Sequence, residues 1–190
     1  MIIIKKIKII SVFIIMCLSF LSHFIYEWYD NFLFSMFFPV NESIWEHMKL
    51  LITPVLIYAL IEYFIYKNKS IKFNNFSLSY SISIIIGIIL YLIIYLLFNH
   101  LFAHNIIVSI VLLFFDYIFI SFVSYLIINT RKIKYSKTIG NLLIIFIYFM
   151  FYYLNLLYNL FLAYFPNKNF SPPRLLRKIS ISSSVMLYTI

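Results

Sequence analysis

What most constrains this chain is the length of its uncharged stretches. From Ile9 to Tyr26 no residue carries a formal charge, which approaches the roughly 20 residues that an α-helix needs to cross a bilayer. Comparable apolar runs follow at about 43–66, 76–98, 106–129 and 139–164. The chain is 64% hydrophobic and 11% charged, against a usual charged share of about 25%. A soluble domain of 190 residues could not cover so much apolar surface and would expose patches that aggregate. A bilayer as solvent removes that difficulty. The expected fold is therefore all-α: a polytopic membrane helix bundle of about five transmembrane helices. Residues 1–165 form one transmembrane domain and 166–190 a basic C-terminal tail.

One piece does not fit the count. Phe32–Phe38 is apolar, but seven residues cannot cross a bilayer. It is expected to be interfacial, re-entrant or folded against other spans. Pro54 lies inside the second span and should kink it, or have its freed carbonyl satisfied by a neighbour. Cys17, the single cysteine, sits in the first apolar run and reads as a small hydrophobe. No small-x-small site follows that run, so a cleaved signal peptide is not expected.

The net charge of +9 does not point to nucleic acid. A nucleic-acid-binding face clusters its basic residues on a soluble fold, whereas here they form short groups between apolar runs, as topology signals do. Lys5, Lys6 and Lys8 come before any crossing, Lys67, Lys69 and Lys72 after two, and Arg131, Lys132, Lys134 and Lys137 after four. All three groups fall on one side. The positive-inside rule makes that side the cytoplasm, with the protein in the cell membrane and its N-terminus cytoplasmic. The basic tail, after five crossings, opposes this assignment. On the other side lie all four histidines and four of the six acids: His23, Glu27, Asp30, Glu42, Glu46, His47, His100 and His104.

The densest polar stretch is Pro39 to Lys49, at the mouth of the second span. At 100° per residue Glu42, Glu46, Lys49 and Thr53 share one stripe about 60° wide, so Glu–Lys pairing is available three residues apart. A structural account is helix capping, by Asn41 or by Ser43 with Glu46 as a capping box. The chemical account is that acids this near hydrocarbon need a partner such as a proton or cation. Trp45 reads as an interfacial anchor. His23 and Glu27, four apart, could form an oriented imidazole or a plain interfacial pair. His100 and His104 have the spacing of two metal-gripping imidazoles, but without the HExxH context. Asp116 falls near mid-span, where an ionisable group is by default a functional candidate; its structural alternative is a hydrogen bond to a tyrosine of another span. Glu62, close to Lys67, Lys69 and Lys72, is expected to reach the interface. No phosphate-binding loop, GxSxG elbow, HExxH or CxxC occurs, which excludes the enzyme classes those motifs mark.

His23-Phe24-Ile25-Tyr26-Glu27 and Val40 to Lys49 resemble the His-x-x-Tyr-Glu and Val-Asn-Glu-Ser-x-Trp-Glu-His-x-Lys motifs of a family of small bacterial multi-pass membrane proteins of unknown function. Pro54, Glu62-Tyr63, Asp116 with Ser124-Tyr125, and Pro172-Pro173 are similar to further family features, whereas 174–190 departs from them. The resemblance implies a membrane protein and supplies no reaction. It makes capping alone a poorer account of the Asn41–Lys49 block.

Two readings of different classes follow. In the first, the protein is non-enzymatic, and its outer polar cluster (Glu27, Asn41, Ser43 and Lys49 among it) binds an ion, supports transport or holds helices together. In the second, it is an intramembrane metal-dependent hydrolase acting on a lipid or lipid-linked substrate. There His23, His47 and His100 would hold a divalent metal ion, and Glu46 or Glu42, with Asp116 a further candidate, would act in catalysis. The expected partner is the lipid bilayer.

Overall fold

The structure, a computed structural model, describes residues 2–29, 31–40, 44–102 and 106–164. Side chains at 44–45, 99–102, 106, 155–156 and 158–164 lie outside that description. The described chain forms α1 (Ile2–Trp28), α2 (Phe32–Phe37), α3 (Ile44–Asn68), α4 (Phe76–Phe102), α5 (Ile106–Ile128) and α6 (Ser136–Tyr164). All but α2 are long and apolar enough to cross a membrane, so the protein is a multi-pass membrane helix bundle.

The central element is α3, since 61% of its apolar window is buried within the bundle against 11% for α6. Its neighbours are α1, α4 and, more loosely, α6; α5 closes the bundle by packing on both α1 and α4. Helix α1 buries Ile4, Lys8, Ser11, Val12, Ile15, Ser19, Ser22 and Tyr26, spaced by three and four as one helical face requires. Small hydroxyl side chains on such a face allow close approach and cross-helix hydrogen bonds. Ser11 Oγ lies 2.9 Å from Ser121 Oγ of α5. Both glycines of the chain sit where helices cross. A Cβ at Gly87 of α4 would lie 2.6 Å from Ile120 Cγ1 of α5, and one at Gly140 of α6 would strike the backbone of Ser77 and Leu78.

At one end of the bundle, the connection after α3 is laced to the connection after α5. Asn75 Nδ2 donates to Thr130 Oγ1 and to Arg131 O, both at 2.9 Å, and Asn75 Oδ1 accepts from Ile133 N at 2.9 Å. Asn75 takes positive φ (50°), a conformation asparagine tolerates better than most residues. The start of α1 reaches the same end, so the three basic groups gather there. The tail that opposed the orientation lies outside the described residues.

Proline 54 shows how this bundle handles a backbone defect. It removes the N–H that would bond Leu50 O one turn earlier, and a bare carbonyl in hydrocarbon is expensive. Tyr117 of α5 donates its hydroxyl to Leu50 O at 2.9 Å. The phenol oxygen also lies 2.8 Å from Ser19 Oγ of α1; with its single proton on the carbonyl, the serine is the donor there. One tyrosine thus ties three helices together. Tyr117→Phe should lower stability by about 1–2 kcal/mol, because the carbonyl is left unsatisfied. Adding Pro54→Ala restores an N–H for Leu50 O and should recover most of the loss. Thermal unfolding in detergent of the two single variants and the double variant checks this, and strictly additive losses would contradict it.

Candidate functional site

Helix α2 is six residues long because its boundaries are strong. Asn31 Oδ1 accepts from Phe34 N at 3.0 Å, as an N-cap does. At the other end Phe38 is extended (φ −120°, ψ 151°), the conformation a following proline imposes, here Pro39. The segment is folded against other spans, one of the three expected placements, and its last carbonyls turn toward α3. Lys49 Nζ donates to Ser35 O at 2.6 Å, and Thr53 Oγ1 donates to Phe37 O at 2.6 Å. A cation at a helix C-terminus is electrostatically favoured.

The same lysine pairs with Glu46, at 3.1 Å to Oε1 and 2.9 Å to Oε2. Glu46 Oε2 also accepts from Val40 N at 2.8 Å. Glutamate, lysine and Thr53 are all buried, and Thr53 Oγ1 lies 3.2 Å from Tyr148 Oη of α6. Glu46 therefore combines a capping-like hold on a backbone amide ahead of its helix with an ion pair. Asn41, Glu42 and Ser43, and with them the capping-box alternative, lie outside the described residues; so do Asp30 and the Trp45 side chain.

A second buried pair lies at the other end of α3, and there the expectation for Glu62 is overturned. Instead of reaching the interface, Glu62 is fully buried. Its Oε1 lies 2.8 Å from Lys8 Nζ, and its Oε2 accepts from Tyr80 Oη at 2.6 Å. Lys8 donates further to Ser124 Oγ at 2.8 Å and to Tyr80 Oη at 3.2 Å, so its three protons all find acceptors. Lys8 thus differs from the exposed Lys5 and Lys6 beside it. A legible signal was its place on the α1 seam with Ser11, Val12 and Ile15.

Asp116 is buried near the middle of α5. It faces α4, where Oδ2 is 3.0 Å from the position a Cβ would take on Gly87. The hydrogen bond to a tyrosine of another span, the structural alternative for this residue, is not made: among the described residues neither carboxyl oxygen has a hydrogen-bond partner. The adjacent Tyr117 is committed to α1 and α3 instead.

The histidines divide. His23 of α1 and His47 of α3 come together, their ring centroids 5.7 Å apart. Glu27 is exposed one turn beyond His23. His104 and the side chain of His100 lie outside the described residues. Among the described residues no group of three His, Cys, Asp or Glu side chains could hold a metal ion, whereas zinc takes three or four protein ligands.

These features define a polytopic membrane protein with buried, internally neutralised charge at both ends of its central helix and an isolated carboxyl between them. The chain belongs to a family described as Family of unknown function (DUF6512), whose model matches residues 1–169. No curated protein and no solved structure matches it.

Removing one partner of a buried ion pair leaves an uncompensated charge. Lys8→Met should destabilise the protein by about 3 kcal/mol, and Lys8→Met with Glu62→Gln should recover most of that. Chemical unfolding in mixed micelles checks the pair, and equal losses for the single and double variants would contradict the coupling.

Proposed function

We propose that this is a non-enzymatic, transport-related membrane protein in which Asp116 carries a proton at mid-span, while the Glu46–Lys49 cluster clamps α2 onto the bundle. The basic end faces the cytoplasm of a cell membrane, and the His23–His47 end faces outward. The observation that carries the reading is the Asp116 carboxyl, buried with neither oxygen paired among the described residues. A desolvated carboxylate in a bundle core requires a compensating ion. Calcium needs six to eight oxygen ligands and magnesium six, whereas among the described residues neither Asp116 oxygen has even a hydrogen-bond partner. A proton needs none.

The contrast with Glu46 supports the same division of roles. Both Glu46 oxygens are engaged by Lys49 and Val40 N, so general-base work would first have to break that clamp. One observation favours the second reading, a metal-dependent hydrolase: two imidazoles from separate helices converge at the outer end. His100 would complete their metal set, and Glu46 or Glu42 would serve as base. Metal analysis of the detergent-purified protein separates the two. Stoichiometric metal lost in His23→Ala and His47→Ala favours the hydrolase.

Protonated aspartate and asparagine are both neutral and nearly the same shape. Asp116→Asn should therefore change stability by less than about 1 kcal/mol, yet remove one titrating carboxyl from the infrared difference spectrum between acid and alkaline buffer. An unchanged carboxyl band in Asp116→Asn would sink the proposal. Glu46→Gln, by contrast, should weaken the clamp and lower thermal stability by about 1–3 kcal/mol. Limited proteolysis between α2 and α3 reads its loosening.

A further inference from the structure

Helix α6 packs along α4 but only loosely against α3, and the two diverge toward the basic end. Between them runs an open groove of about 1050 Å³. Its walls are Leu56, Leu60 and Tyr63 of α3 with Ile144 and Tyr148 of α6. Toward the outer face it is stopped where Thr53 Oγ1 meets Tyr148 Oη at 3.2 Å and Phe37 packs edge-on against Tyr148 at 5.3 Å. Toward the basic end it opens between Lys132, Lys137 and Asn141. Tyr148 to Lys137 is eleven residues of helix, or about 16 Å at 1.5 Å per residue. That is roughly half of a hydrocarbon core about 30 Å thick, the depth of one leaflet.

We propose that this groove binds one anionic glycerophospholipid of the leaflet at the basic end, with an acyl chain along α3 and α6 and the phosphate between Lys132 and Lys137. Charge complementarity selects this occupant. Among the described residues neither lysine makes an ion pair, and no exposed carboxylate is found at that end. Asn141 accepts from Ser77 through Oδ1, which leaves its amide N–H groups as donors for a phosphate oxygen. A zwitterionic lipid would fill the apolar part equally well and gain less at the rim. Each basic contact to an anionic lipid surface contributes about fivefold in affinity. This assignment does not depend on the role of Asp116.

The test is native mass spectrometry of the full chain released from nanodiscs of equimolar phosphatidylglycerol and phosphatidylcholine. Wild-type protein should retain one phosphatidylglycerol in at least about tenfold preference to phosphatidylcholine. Lys132→Gln with Lys137→Gln should abolish the preference, and Ile144→Trp, which fills the groove, should abolish retention of either lipid. Each variant is required to keep the helical circular dichroism and the elution volume of wild type. A variant that misfolds is replaced by Leu60→Trp on the opposite wall, with the same expected loss. Equal retention of both lipids by wild type would overturn the proposal. So would a preference that survives loss of both lysines, or a dimer that Ile144→Trp dissolves, which would make a second copy the occupant.

Discussion

The bundle depends on one constraint: every charge and every irregular backbone group drawn into the bilayer must find its partner within the protein. Helix α3 concentrates that requirement. Glu46 and Glu62 are sixteen residues apart, roughly 24 Å along the axis at 1.5 Å per residue, and each is neutralised by a lysine within 3 Å. The two pairs are built differently. Glu46 meets a lysine three residues on in its own helix, so that pair is a local event that also collects α2. Glu62 meets Lys8 from the beginning of the chain, so that pair exists only once α1 and α3 have packed. A buried pair of this second kind is modest as a source of stability, since desolvation offsets most of the attraction. It serves better to fix which faces of α1, α3 and α4 meet, because every other rotation leaves a bare charge in hydrocarbon.

The handling of irregular backbone follows the same rule. Helix α2 enters the bundle as six residues with exposed terminal carbonyls, and Lys49 and Thr53 satisfy those at Ser35 and Phe37. Pro54 strips Leu50 of its helical donor, and Tyr117 replaces it from another helix. The polar side chains of α3 and α5 are thus largely spent on backbone repair and ion pairing. This narrows the number of polar groups free for chemistry.

The spans were legible because membrane thickness sets a length scale and charge is scarce enough to punctuate it. The Glu46–Lys49 pair was legible too, since three residues of helix place both on one stripe. Glu62 was misread because sequence position gave its depth but not its azimuth. Its neighbours Tyr58 and Tyr66, one turn to either side, are both fully buried, and that spacing was the available clue. The role of Tyr117 could not be read at all. It depends on α5 passing Leu50 in a bundle whose helix order only packing decides, and one whole helix, α4, and 67 residues of sequence separate the partners.

Asp116 stands apart from the other buried carboxylates because its surroundings are cleared rather than furnished. Gly87 across from it withholds a side chain, and Ile120 one turn on is packed into the gap so tightly that a Cβ there would collide at 2.6 Å. A structural acid would be expected to offset its burial through hydrogen bonds and ion pairs, as Glu46 and Glu62 do toward the two ends of α3. If Asp116 carries a proton as proposed, its place beside Gly87 in the α4–α5 contact, with neither oxygen hydrogen-bonded among the described residues, would couple protonation to the spacing of those two helices. Any change of charge at that point must draw in water, an ion or a rotated neighbour. On the proposed role of Asp116, the helix crossing would be the element that a bound proton biases.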